Sequence, residues 1–324
     1  MRWNFHHLII EGMANDATLR QEWQRSFASL AGATAVPDIQ ISLNIVPILS
    51  PAPPGEPQFR QSDLLAYYVH GQDVVVHFPR FGQLQLDLLG GATNGRLLTT
   101  ALTTYGVLED LIAIGLSPHL RRRGLFLIHA FAAAYAGRAV LLVGGIGAGK
   151  TTTGLSLLNA GWQLLSNDSP IISQSGEVLH YPGVLAGYPD SFARFPATAE
   201  FAQQQPEQQG RQKLTIPAEQ IWPEVWCEQA RIGAILFPTI KGEGEHESRP
   251  LAPIEALQQL LPHAIEQWDK AMMPNHLAVL RQLVEMAPAY QLLLGPDVLT
   301  IPAIIESLFT EDSVGPMSRP LSGL

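Results

Sequence analysis

A single cysteine, Cys227, stands in the 324-residue chain. That excludes a disulfide framework and any metal site built on thiolates, and it fits a reducing cytosol. Basic residues are scarce as well: 20 Lys and Arg face 29 Asp and Glu, for a formal charge of −9. Such a balance argues against a general nucleic-acid binder or a membrane-surface binder. The one basic run, Arg121 to Arg123, is short. As a solvated helix end it needs no ligand, because cations favour helix C-termini. Long apolar runs are missing too. The longest, residues 124–137, contains His129 and is too short to span a bilayer. The first residues, MRWNFHHLIIEGMAND, lack the apolar core and small-residue cleavage site of a signal peptide. The expectation is a cytoplasmic protein with no membrane or nucleic-acid partner. With 46% apolar residues, a chain of this length can bury a sizeable core in one large domain or two ordinary ones.

The first third, residues 1–118, reads as a separate α+β unit rich in strands. FHHLIIEGM, PDIQISLNIVPIL, DLLAYYVHG, DVVVHFP and GQLQLDLLGG are short segments of apolar or alternating character. PAPPGEP separates two of them, and GQD marks a tight turn. Helices are expected over 17–30 and from Leu97 to about Ile114, with LSPHLRRRG as the connector that follows. No chemistry attaches to this part. His6 and His7 are neighbours, and neighbours on a strand point to opposite faces, so they make a poor metal pair.

The informative stretch is Gly144 to Thr151, GGIGAGKT, which fits the phosphate-binding pattern G-x-x-x-x-G-K-[ST]. Glycines let the backbone turn through positive φ and approach a ligand closely. Successive N–H groups then face one concavity suited to an anion. The candidate nucleotide contacts are Gly144, Gly145, Ile146, Gly147, Ala148, Gly149, Lys150, Thr151 and Thr152. Lys150 supplies a charge for the outer phosphates, Thr151 offers a hydroxyl to Mg²⁺, and the following helix points its positive end at the same place.

The surroundings agree with that assignment. LFLIHAFAAAY and AVLLVGG read as strands joined by a tight Gly137-Arg138 connection, hence an antiparallel hairpin rather than a parallel βαβ entry. TTTGLSLLNAG reads as a helix with Leu155, Leu157 and Leu158 inward and Gly161 as its stop. WQLLSNDSPII is a strand ending in polar residues, and its Asp168 stands where Mg²⁺ needs a second anchor. Downstream come short strands and turns over 176–195 and a polar, mobile loop, FAQQQPEQQGRQ. Lys213 follows, with Arg211 as an alternative cation. ARIGAILFPTI is a core strand and KGEGEHESRP a solvated hairpin tip. PIEALQQLLPH and HLAVLRQLVEM are amphipathic helices, AYQLLLG is a strand, and 301–309 forms a last helix before a flexible tail, 311–324.

The run IHAFAAAYAGRAVLLVGGIGAGKTTTGLSLLNAGWQLLSNDSPII resembles the core of HPr kinase/phosphorylase and the wider HPr-kinase-like P-loop proteins, most specifically over residues 124–172. The resemblance implies a P-loop kinase domain over 119–310 with a mixed central sheet, similar to phosphoenolpyruvate carboxykinases. It also implies ATP- and Mg²⁺-dependent phosphorylation of a hydroxyl on a peptide, protein or small molecule, and it leaves room for a homo-oligomer. Carried over by position, Lys150 and Thr151 hold phosphate and metal. His129 stands near the reacting phosphate, Asn167 and Asp168 occupy the acidic pair, and Lys213 lies near phosphate. Two departures stand out. The acidic pair here begins with Asn167, and the glycine-rich signature that follows it in true HPr kinases is missing. An amide is no base, so Asp168 does both jobs, or His129 acts as the base, or ATP binds without efficient transfer. The expected function is therefore a kinase, with a nucleotide-binding adaptor or weak ATPase in a peptide-modification pathway as the alternative. There is no N-K-x-D motif to select guanine.

Overall fold

The computed structural model describes residues 1–204 and 213–311. Most of the Gln-rich segment, Arg211 with it, and the tail from 312 on lie outside the described residues. The chain forms two compact units. One comprises residues 1–127 with 265–278, and the other comprises 128–264 with the residues from 279 on. Both are mixed α/β.

The first unit is an eight-stranded mixed sheet. Its strands are β1 (Arg2–Phe5), β2 (Leu8–Ala14), β3 (Ile39–Ile45), β4 (Phe59–Gln61), β5 (Leu65–His70), β6 (Asp73–Phe78), β7 (Gly82–Asp87) and β8 (Ala92–Leu97), in the order β1-β2-β3-β8-β7-β6-β5-β4. Pairing is parallel from β2 through β3 to β8 and antiparallel elsewhere. Helix α1 (Ala17–Ser26) makes the β2–β3 crossover that parallel pairing requires. Asp16 caps it, accepting from the N–H groups of Thr18 and Leu19. Its Trp23 stacks on Trp3 at 5.8 Å and packs on Phe27 at 5.2 Å. The helix stops at Ser26, short of the expected Leu30. His6 and His7 lie in the turn between β1 and β2, with His6 at φ 57°, and not on a strand as expected.

The expected helix from Leu97 to Ile114 is also revised. Gly106, at φ 75°, separates α2 (Thr100–Thr103) from α3 (Val107–Arg121), and α3 runs on through Pro118. Thr93 Oγ1 donates to the carbonyl of Gly115 at 2.8 Å and lies 2.9 Å from His119 Nε2. The hydroxyl has one hydrogen, so Nε2–H is the donor to it. Burial pushes the His119 imidazole down to about 4, which keeps it neutral. The basic run is not solvated at its start. Arg121, 2% exposed, gives Nε and Nη2 to Asp269 Oδ2 at 3.2 and 3.0 Å. Arg122 adds bonds to both oxygens of the same carboxylate at 2.8 and 3.0 Å. The Arg121 guanidinium also faces the ring of Trp268, 5.6 Å away, and that ring stacks on Tyr67. β9 (Leu125–Leu127) ends this part of the unit.

The second unit opens with a hairpin of β10 (Ala130–Tyr135) and β11 (Arg138–Val143), antiparallel as expected. The turn is Ala136-Gly137, one residue earlier than expected, with both residues at positive φ, 48° and 77°. LFLIHAFAAAY is not one strand, because the chain breaks between β9 and β10 at Ile128 and His129. Helix α4 (Lys150–Asn159) follows β11, with Leu155, Leu157 and Leu158 buried and Gly161 beyond its end at φ 87°. Then come β12 (Gln163–Ser166), β13 (Ile171–Ser173), β14 (Glu177–Leu179) and β15 (Leu185–Gly187). These precede α5 (Pro189–Phe192) and α6 (Pro196–Gln203), which absorbs the start of the expected Gln-rich loop. β16 (Leu214–Ile216), α7 (Ala218–Ile221), β17 (Gln229–Ile240), β18 (Glu247–Leu251), α8 (Pro253–Leu260), α9 (Met273–Met286), β19 (Ala289–Leu294) and α10 (Ile301–Glu311) complete the order. The residue numbers of α9 straddle the two units.

The central strands of this sheet run β12-β10-β11-β17, with β19 beside the second half of β17 and β18 beside β19. β11, β17 and β19 are parallel, so their carboxyl ends lie at one edge, where open α/β sheets place ligands. Lys241 to His246 is not a hairpin tip. β17 and β18 do not pair, because β19 comes between them. His246 holds that connection, with Nδ1 accepting from Gly295 N–H at 2.9 Å and Nε2 at 2.6 Å from the Asp297 carbonyl.

Packing of α4 on the sheet is close enough to demand glycine. A Cβ on Gly154 would strike the outer carbons of the Phe131 ring, which is fully buried on β10. Gly154→Ala gains about 1 kcal/mol of helix propensity but overpacks at a cost of about 1–3 kcal/mol. We expect a net loss, read as a lower Tm with α4 still formed. A higher Tm would mean that the Phe131 ring has room to move.

Candidate nucleotide-binding site

The loop between β11 and α4 turns on two glycines, Gly147 at φ 82° and Gly149 at φ 101°. A side chain on Gly149 would also strike Leu294, whose Cδ1 lies 2.6 Å from the ideal Cβ position. Backbone strain and space both require glycine there. Ile146 stands at the loop crest, 86% exposed. Gly149 O receives the N–H of Thr153 at 2.9 Å, starting the helix. The preceding amides are therefore left at a helix N-terminus, where anions are favoured.

Lys150 folds over this loop. Its ammonium donates to the carbonyls of Gly144 at 2.6 Å and Gly145 at 3.2 Å, and Nζ lies 3.4 Å from His129 Nε2. Partial burial depresses its pKa and Lys213 adds to that, while Asp168 acts in the opposite sense. Thr151 sits in the first turn, where its methyl carbon lies against Gly187 of β15. The Thr152 hydroxyl is 2.9 Å from the Ser191 hydroxyl, so it ties α4 to α5.

His129 and Asp168 come together although both lie outside strands. The break in the apolar run frees the backbone of His129, whose N–H donates to His263 O at 2.8 Å. The next N–H, from Ala130, donates to Asp168 O at 3.1 Å. Side chains follow: His129 Nδ1 is 3.2 Å from Asp168 Oδ1, with the residues 44% and 57% exposed. A carboxylate only accepts, so Nδ1 carries the hydrogen and Nε2 presents its lone pair towards Lys150. Asn167 is turned differently. Its Oδ1 is buried and has no hydrogen-bond partner among the described residues. Ser166 Oγ accepts from the N–H groups of Asp168 and Ser169 at 3.4 and 3.0 Å, which sets the turn after β12.

His263 was not signalled by the sequence, where it closes the amphipathic segment PIEALQQLLPH as a helix end. Its ring stacks loosely with that of His129, with centroids 6.1 Å apart and the planes 27° from parallel. Burial first, then the fields of His129 and Lys150, lower its pKa. Lys213 stands on the approach to β16 with Nζ 5.5 Å from the centre of the Tyr188 ring.

No family model matches this chain. No curated protein matches it either. A solved structure that is similar to it is the Hpr(Ser) kinase/phosphatase from Coxiella burnetii, at 14% identity, covering 58% of this chain and 90% of that one, with a TM-score of 0.30. A likeness at that score carries no mechanistic weight, so the functional reading rests on the site. No helix among the described residues is long and apolar enough to cross a membrane.

The same residues can be tested against Mg²⁺. Among the described residues no three His, Cys, Asp or Glu side chains cluster to hold a metal by themselves. Mg²⁺ does not need such a cage. It keeps several waters and is held by one or two carboxylates together with the phosphates of its partner. Asp168, more than half exposed and with Oδ1 directed at His129, suits that role through its other oxygen, and the hydroxyl of Thr151 belongs to the same donor class.

Proposed function

We propose that the second unit binds ATP with Mg²⁺ and transfers the terminal phosphoryl group to a hydroxyl of a peptide, protein or small molecule. One observation carries the reading. An Asp168–His129 pair is set with the acceptor nitrogen of its imidazole 3.4 Å from the lysine of a glycine-rich loop. A loop lysine alone is explained by anion binding, but an oriented imidazole beside it is suited to taking a proton.

In this reading the loop amides and Lys150 hold the β- and γ-phosphates. Thr151 and Asp168 hold Mg²⁺, which supplies charge neutralisation for the phosphates. The acceptor oxygen forms a bond to the γ-phosphorus as the bond to the β-phosphate oxygen breaks, leaving ADP. The hydroxyl proton passes to Nε2 of His129, and the Asp168 carboxylate steadies the imidazolium that forms. Transfer to a hydroxyl needs such a base close by, and His129 stands where Asn167 cannot serve.

Lys150→Ala is expected to weaken ATP binding tenfold or more, about 1.4 kcal/mol or above, and to abolish detectable transfer. Titration calorimetry with a non-hydrolysable ATP analogue and Mg²⁺ measures the first, and transfer of labelled γ-phosphate the second. Unchanged ATP affinity in this variant would overturn the site. A second reading, a nucleotide-binding adaptor, is favoured by Asn167, an amide that cannot take a proton and whose oxygen is turned inward. ATP binding lost in Lys150→Ala, with no labelled phosphate reaching any acceptor in the wild type, would select that reading.

A further inference from the structure

A second cation, Lys213, stands beside a ribbon that packs on the helix following the loop. β15 and β16 form a separate two-stranded antiparallel ribbon in which Leu185 faces Ile216, Ala186 faces Thr215 and Gly187 faces Leu214. Extending that register by one step sets Tyr188 opposite Lys213. The ribbon is seated on the nucleotide loop's helix. Gly187 abuts the Thr151 methyl so closely that a Cβ there would lie 3.0 Å from it, and Ser191, three residues after Tyr188, bonds the Thr152 hydroxyl at 2.9 Å. The ring of Tyr188, 38% exposed, then carries the Lys213 ammonium 5.5 Å from its centre, within the range of a cation–π contact.

Lys213 is thereby carried by a ribbon that packs on the first turn of the helix that Lys150 begins. Like charges so placed repel unless an anion lies between them, and a chain of phosphates carries enough charge to satisfy both. Resting on the nucleotide-binding reading above, we propose that Tyr188 is a positioning residue, whose ring holds Lys213 where its ammonium reaches the phosphate chain of the bound nucleotide. The ribbon brings the lysine near the loop, and the ring keeps its four-carbon stem from spending its time in solvent.

The test uses the full chain and measures Kd for fluorescent ATP and AMP in Mg²⁺. Tyr188→Leu removes the ring and is expected to raise the Kd for ATP about two- to fivefold while leaving that for AMP unchanged. Tyr188→Phe keeps the ring and binds like the wild type. Lys213→Ala raises the Kd for ATP about tenfold. The double variant Tyr188→Leu with Lys213→Ala is no weaker than Lys213→Ala alone, because the ring acts only through the lysine. Additive losses, or a loss in Tyr188→Phe equal to that in Tyr188→Leu, would overturn the proposal. A change in Tm in Tyr188→Leu matched by equal losses for ATP and AMP would also count against it, as general damage to the ribbon. If Lys150→Ala leaves ATP binding intact, the nucleotide site itself has failed, and that outcome is read from a different variant.

Discussion

With the proposed kinase activity, Asp168→Asn is expected to lower phosphoryl transfer about 10²–10⁴-fold at saturating ATP and Mg²⁺. The substitution keeps the shape of the side chain and changes two things. The carboxylate accepts from Nδ1–H of His129 at 3.2 Å, which leaves Nε2 as the acceptor. An amide can donate instead, and a neutral imidazole that accepts at Nδ1 carries its hydrogen on Nε2, where it cannot take a proton from a substrate. The variant also removes the negative charge that favours an imidazolium and the one carboxylate proposed to hold Mg²⁺. His129→Ala should fall by a similar factor, and the double variant should be little worse than either single one, because the two residues act as a unit. Single-turnover transfer of labelled phosphate at saturating ATP measures the effect. Full transfer in Asp168→Asn would remove both residues from the chemistry and leave only the loop.

Asp269→Ala carries the second large effect, and it concerns stability alone. Arg121 and Asp269 are each 2% exposed, and Arg122 closes on the same carboxylate. Removing the acid leaves one guanidinium buried against Trp268 with only the partly exposed Glu266 carboxylate, 3.9 Å away, to balance it, and breaking a buried pair costs about 3–5 kcal/mol. Urea unfolding should show a lower midpoint with an unchanged m-value, and Asp269→Asn should fall between the two proteins. The pH dependence has a definite sign. Burial pushes the Asp269 carboxyl upward, but the bonds from Arg122 and the charges of both arginines outweigh it and hold the group below its ordinary value of 3.8. The folded state thus prefers the ionised form. The stabilisation is complete above that ordinary value and is lost as pH falls further, through the folded-state pKa. Asp269→Ala should lack this part of the acid limb. A melt indistinguishable from wild type at neutral pH would show that water reaches the arginines and replaces the acid.

Short-range chemistry explains what was legible beforehand. The strand–loop–helix around residues 144–151 follows from glycine spacing and apolar periodicity, and the β10–β11 hairpin from the short interval between two apolar runs. What escaped depends on distant partners. Arg121 looks like a surface residue in sequence because its acid lies 148 positions away. His263 is one letter at the end of an amphipathic helix pattern, and only the return of the chain places its carbonyl on the His129 amide. LSPHLRRRG read as a connector, yet the helix continues through Pro118 to Arg121. The 241–246 connection looked like a hairpin because local sequence cannot announce that β19 will enter between β17 and β18. Asn167 was visible as a departure, but the inward turn of its oxygen was not.

The Arg121–Asp269 bond also sets a schedule for the nascent chain. Ribosomes add about 5–20 residues per second, and domains ordinarily fold in the order of their synthesis. This bond cannot close until 148 further residues have been made, a wait of about 7–30 seconds at that pace. For that interval an arginine destined for the interior must remain hydrated, so the N-terminal unit completes its interior only when most of the polypeptide has left the ribosome.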